Sequence, residues 1–220
     1  MGLLDVDVTE CDFYYFGVRT PVGLPVIAAL EMGGVQYNAN PMDFESWLKM
    51  KPNTPTGLLP LMKLRDGSYV IESQAILRAV GCATGAIGTG KDFLISEMLM
   101  GLTADLLKKV NFPTMMTVKD WTPEKSAEAK TKDVPLVLAQ LAKYEQFLAD
   151  SGDKFTASGV TVGEIDLFCK LHTLSVTVPE MIIPSLEPFV KRMEAIPALK
   201  KILDGQTAWG PLPPYFRPFP

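Results

Sequence analysis

The sequence predicts an α/β segment followed by an all-helical one. Up to about residue 84, short apolar runs of strand length alternate with turns, whereas beyond about residue 92 apolar residues recur at helical spacing over long stretches. Between them "TGAIGTGKD" is glycine-rich and reads as a linker. The expected layout is a first domain over 1–84, a linker over 85–91 and a helical domain over 92–220 that ends in a Pro-rich tail.

The elements follow in order. "DFYYFGV" (12–18) is rich in aromatics and reads as a strand. "LPVIAALEMGG" has helical spacing and stops at Gly33-Gly34. "VQYNA" is a second strand candidate, and "DFESWLKM" places Phe44, Trp47 and Leu48 on one face of a short helix. "LPLMKL" and "YVI" flank Asp66-Gly67, a strong hairpin signal. Ser73 is expected to cap the helix "SQAILRAVGCATG". The helical part opens with "FLISEMLMGLTADLLKKV" and continues with a segment from Thr122 that Pro135 is expected to interrupt. "TVGEIDLFCKLHTL" has Thr161 and Glu164 in capping-box spacing, and "LEPFVKRMEAIPALKKIL" reads as two short helices split at Pro197. The tail "WGPLPPYFRPFP" cannot be helical, and its apolar side chains are expected to lie against the protein surface.

Composition excludes several functions. Apolar residues make up 47% of the 220 and charged ones 21%, so the chain can bury a core and is not a disordered protein. A net charge of -4 with scattered Lys and Arg argues against nucleic acid and against an anionic membrane surface. No secretory leader is read at the N-terminus, Val6 stands where a myristoylation pattern needs Ser or Thr, and no apolar run reaches membrane-span length. Cys11, Cys82 and Cys169 are isolated and odd in number, which points to a reducing, cytoplasmic setting. The single His172 offers no His-rich metal site, and no metal is expected. "GAIGTGKD" fails the phosphate-loop pattern because Asp92 follows Lys91.

A β-α-β half followed by a hairpin and a helix is the thioredoxin-like arrangement. In it a proline entering the third strand, here Leu59-Pro60, is cis and leaves the neighbouring backbone open to an extended peptide. The start of the helix at Ser73 aims N–H groups at the same place, which favours a carboxylate. "YYFGVR", Trp47 with Lys51 four residues on, "PTGLLPLMKLRDG", "ESQAILR" and "TVGEIDLF" together resemble the cytosolic glutathione transferases, tyrosine-type and sigma-like, over about residues 12–204.

That resemblance implies a thioredoxin-like domain followed by a helical bundle, glutathione as co-substrate and a homodimer. It implies that Tyr15 hydrogen-bonds the glutathione thiolate; a thiol with pKa near 8.5 is only a few per cent ionised at neutral pH, and a well-aimed hydroxyl favours the anion. It implies that Trp47 and Lys51 hold the glycine end, with Lys49 as a substitute, and that Leu59 and Pro60 pair with the peptide backbone. Glu72 and Ser73 would take the γ-glutamyl end. Arg19 is the only basic residue between Tyr15 and Lys49, and so the one cation that this loop can offer. Where the family often sends an acidic residue from the partner subunit, this chain has Gly101, with Glu97 and Asp105 a turn to either side. An apolar electrophile is expected between the domains, near Met98, Met115 and Met116, with Trp209 and Phe216 of the tail either covering it or serving a partner contact. The expected reaction is conjugation of the thiolate to that electrophile, or a glutathione-dependent isomerisation. A binding or structural protein that keeps the fold with little turnover is the alternative.

Overall fold

The computed structural model describes residues 6–109, 122–150, 152–177 and 182–211. These fall into two compact units: residues up to Gly88 together with Ala195–Pro211, and Thr89–Glu194. The first helix of the second unit already begins at Gly90, inside the expected linker. Residues 195–211, expected in the helical domain, belong with the first unit.

In the first unit the strands are β1 (Cys11–Phe16), β2 (Tyr37–Met42), β3 (Leu61–Lys63) and β4 (Tyr69–Ile71), in the sheet order β2-β1-β3-β4. β2 lies parallel to β1, while the β1–β3 and β3–β4 pairs are antiparallel. β2 starts two residues later than expected and runs on through Pro41, because its pairing to β1 extends to Phe16↔Met42. The Asp66-Gly67 turn forms as expected. Gly67 adopts a φ of 87°, and the Asp66 carboxylate accepts from the Ser68 N–H at 2.8 Å and hydroxyl at 2.6 Å.

Alternation along β1 buries Cys11, Phe13 and Tyr15 on one face. α1 (Leu24–Met32) is buried at seven consecutive positions, Leu24 to Leu30, so it is a core helix and not an amphipathic one. It packs against α3 (Ser73–Thr84) and against a late helix, Pro197–Leu203. Each buried Leu, Val or Ile there contributes about 1.5–3 kcal/mol over an exposed one. α2 (Phe44–Met50), capped by Asp43 through the Ser46 N–H at 2.7 Å, buries only Trp47 and runs into a 3-10 turn over Lys51–Asn53.

The last segment of this unit contains a departure from expectation. Trp209 is 1% exposed, with its ring edge-on to Phe13 at 5.4 Å and its indole N–H donating to the Tyr37 hydroxyl at 3.1 Å. It is a core residue of the first unit and not a cover for an electrophile. Phe216, Met115 and Met116 lie outside the described residues.

The second unit comprises α4 (Gly90–Lys109), α5 (Pro123–Leu141) with a 3-10 turn to Phe147, α6 (Val162–Thr177) and α7 (Glu187–Glu194); the late helix of the first unit, Pro197–Leu203, is α8. α4 and α6 approach closely at Gly163, where a Cβ would stand 2.3 Å from the Ser96 carbonyl oxygen. The Ser96 hydroxyl receives the Gly163 N–H at 3.0 Å. α5 runs unbroken through Pro135, contrary to expectation. Burial of Val137, Gln140 and Leu141, with the Gln140 amide donating to the Leu102 carbonyl at 3.1 Å, outweighs the roughly 3 kcal/mol that an interior proline costs. Among the described residues no helix is long and apolar enough to cross a membrane.

Candidate active site

Sheet register brings three of the sequence-predicted residues, Tyr15, Pro60 and Glu72, to one end of the sheet. Across the four strands Tyr15 pairs with Pro41 of β2, and Tyr14 pairs with Leu61 of β3, which in turn pairs with Ile71 of β4. Continuing those ladders by one residue sets Pro41, Tyr15, Pro60 and Glu72 in a single row at one end of the sheet. β2 leaves that row into α2, β4 leaves it into α3, and β3 enters through Leu59-Pro60, whose peptide bond is cis as expected. Strand connectivity alone therefore assembles the end of β1, the entry to β3 and the start of α3.

Each residue has a distinct environment. Tyr15 is 5% exposed, and its hydroxyl lies 2.5 Å from the Thr20 hydroxyl. Its ring rests on the backbone before α1: a Cβ at Gly23 would fall 2.2 Å from the Tyr15 Cε1, so glycine is the residue that permits the contact. Tyr14, as alternation requires, occupies the other face and is half-buried.

Glu72 is the N-terminal flanking residue of α3 and has a φ of 67° and ψ of 119°, a left-handed backbone on a residue with a Cβ. Such strain costs about 1–3 kcal/mol and clusters where the backbone serves a ligand. The Glu72 side chain makes no capping hydrogen bond. Ser73 was expected as the cap; it is instead the first helical residue, because the chain turns at Glu72. The opening N–H groups of α3 are thus presented without a side-chain cap.

Trp47 is packed at 5% exposure, whereas Lys51 is exposed. The Lys51 stem lies along Gly57, where an added Cβ would meet its Cε at 3.2 Å and its Cγ at 3.3 Å. Lys51 thus runs beside the loop that leads to Leu59. Lys49, the substitute, is ion-paired with Glu45 at 2.7 Å.

Arg19 is placed differently from its expected role. It is 8% exposed; its Nη1 donates to the Ile202 carbonyl at 2.5 Å and its Nε to the Gly210 carbonyl at 3.0 Å. Burial lowers its pKa from the ordinary arginine value. These bonds, with Gly210 N–H to Gly17 O and Arg19 N–H to Pro211 O, both at 3.2 Å, fasten the loop after β1 to the segment after α8. The arginine holds structure and is not offered to a ligand carboxylate. Sequence reasoning passed over Thr20 and Gly23; a Thr five residues after the tyrosine and just before a helix start was the available signal, since such threonines accept backbone N–H groups.

On α4, Gly101 is exposed with nothing within 4 Å of an added Cβ, and Met98 is 42% exposed. Cys11 is buried on β1, and burial, with Asp12 as a lesser cause, pushes its thiol up to about 11. It is no nucleophile near neutral pH.

No family model matches the chain. Glutathione S-transferase 1 of Ascaris suum is 25% identical over 198 residues, covering 85% of this chain and 92% of that protein. A sigma class GST of Fasciola hepatica superposes with a TM-score of 0.76 at 25% identity, over 91% of this chain and 98% of the other. A glutathione S-transferase from Ascaris lumbricoides superposes with a TM-score of 0.78 at 24% identity, over 91% and 100% of the two chains. The chain that carries the cis Leu59-Pro60 bond, the β2-β1-β3-β4 sheet and the helical second unit is thus similar, over most of its length, to glutathione S-transferases in sequence and shares their fold.

Proposed function

We propose that this chain is a glutathione transferase of the tyrosine type. Glutathione lies along the row at the sheet end, its backbone pairing with Leu59 beside Pro60. Its γ-glutamyl carboxylate meets the open N–H groups of α3 and the Ser73 hydroxyl, and Glu72 takes its ammonium group. Lys51 supplies charge to the glycine carboxylate, with Trp47 packed beneath that edge. Tyr15 donates to the sulfur, and the thiolate attacks a small apolar electrophile; an isomerisation would use the same thiolate. The working form is a homodimer. The observation that carries this reading is the register that sets Tyr15, Pro60 and Glu72 in one row, together with the left-handed backbone of Glu72.

The test is retention on immobilised glutathione followed by a conjugation assay on the wild-type chain and Tyr15→Phe. Tyr15→Phe is expected to keep the affinity and lose about tenfold or more in kcat/KM near neutral pH, the range set by the thiolate fraction of an unassisted thiol. Retention with negligible turnover that the substitution leaves unchanged would instead identify a binding protein. Two observations favour that second reading: Arg19 is engaged in structural bonds, and Gly101 brings no acidic side chain.

A further inference from the structure

The Thr20 hydroxyl has three polar neighbours. The Tyr15 hydroxyl lies 2.5 Å away, and the backbone N–H groups of Val22 and Gly23 donate to Thr20 Oγ1 at 3.3 and 3.4 Å. A threonine oxygen has two lone pairs and one hydrogen. Two N–H donors occupy the lone pairs and compete with a phenol donating to the same oxygen. Either hydroxyl could carry the hydrogen of the short contact, and the two N–H donors on Thr20 Oγ1 favour Thr20 as its donor.

We propose that Thr20 is a positioning residue for the reaction assigned to Tyr15: its hydroxyl donates to the phenol oxygen, so this contact does not consume the phenol's own proton and supports the charge that the phenol gains as it donates to sulfur. The proposal rests on the reading of Tyr15 given above. The opening of α1 polarises the Thr20 hydroxyl, which polarises the phenol in turn, each bond strengthening the next. Both side chains are buried, at 5% and 8% exposure, where water competes little for these bonds. The loop that carries Thr20 is fixed by the Gly17–Gly210 and Arg19–Pro211 backbone bonds and by the Arg19 guanidinium, so the hydroxyl is set before any ligand arrives.

A purely structural role is distinct. Gly23 flanks α1 without a side chain, and Thr20 takes up two N–H groups of that turn. On that account, losing the hydroxyl lowers the melting temperature and leaves the acidity of bound glutathione untouched.

The test compares wild type, Thr20→Val, Thr20→Ser and Tyr15→Phe. The pKa of the bound glutathione thiol is read from its thiolate absorbance, and kcat/KM with chlorodinitrobenzene is measured across pH. Thr20→Val is expected to raise the bound thiol's pKa by about half a unit to one unit and to lower kcat/KM near neutral pH about three- to tenfold. The KM for glutathione stays unchanged, and Thr20→Ser restores the wild-type profile. Should Thr20→Val not fold, Thr20→Ala is measured in the same way. If Tyr15→Phe raises the thiol pKa and Thr20→Val does not, the proposal is overturned while the reading of Tyr15 stands. If Tyr15→Phe also leaves it unmoved, the reading of Tyr15 fails and takes the proposal with it.

Discussion

Glu164 and Glu72 both stand at helix starts, and their surroundings are opposite. Glu164, in the first turn of α6, is fully buried; it accepts from the Phe155 N–H at 3.0 Å, the Thr156 hydroxyl at 2.6 Å, the Thr161 N–H at 3.1 Å and Arg192 at 2.9 Å. Glu72, at the start of α3, is exposed, sits on a left-handed backbone and makes no capping bond. The first satisfies the chain's own donors and fastens a loop, a helix and α7 together. The second holds a strained turn that leaves helix N–H groups open. A polar group completed from within serves the fold, and the proposed function assigns the one held open under strain to a ligand.

The largest expected effect breaks the completed side of this pair. Glu164→Ala leaves the Arg192 charge and the buried N–H groups of Phe155 and Thr161 without this acceptor, while the Thr156 hydroxyl keeps the Gly159 carbonyl, a loss of about 3–5 kcal/mol. Urea denaturation measures it, and the glutathione affinity of the folded fraction should not change. A loss below about 1 kcal/mol would mean that the bonds around Glu164 reorganise easily, and the contrast with Glu72 would lose its meaning.

The next effect has the opposite sign. Glu72→Gly relieves the left-handed backbone and should stabilise the chain by about 1 kcal/mol, while glutathione affinity falls about tenfold through loss of the carboxylate and loosening of the turn. Denaturation and calorimetric titration on the same protein give both numbers. Stability that falls together with affinity would place Glu72 on the structural side.

What the sequence disclosed follows the same division. The strands, the Asp66-Gly67 turn and the Gly33 stop were legible because local chemistry determines them, whereas the cis Leu59-Pro60 bond was legible only through the order of elements, since an X-Pro bond by itself favours trans. Thr161 and Glu164 were legible as a capping box, but only one half forms: Glu164 reaches the Thr161 N–H, while the Thr161 hydroxyl is buried with no hydrogen-bond partner. Arg19 and Trp209 were misread because their partners lie nearly two hundred residues away, and no spacing rule reports a bond from Arg19 to Ile202. Pro135 was misread because burial on α5 overrode a local rule. Of the candidate site, the residue types were legible, but the row that joins them needed the strand register.

The smallest expected effect extends the comparison to the thiols. Cys11 and Cys169 are buried, Cys82 is half-buried, and all three are unbridged. Burial pushes Cys11 up to about 11 and raises Cys169 as well. At pH 8 a thiol with a pKa near 11 is thiolate in about one molecule in a thousand, so reactivity falls for want of charge as well as for want of access. Iodoacetamide on the native chain at pH 8 should label Cys82 first, and Cys11 and Cys169 only after denaturant, as peptide mass spectrometry would read. The sign of the pH dependence follows: the folded chain holds Cys11 neutral, so this stabilisation is fully present below the ordinary thiol pKa and is lost as pH rises from there through about 11. Cys11→Ala should flatten that part of the alkaline stability curve. Native labelling of Cys11 at the rate of Cys82 would show that the inner face of β1 opens to reagent, and Tyr15, two strand pairs along the same face, could not then be the fixed donor that the proposed chemistry requires.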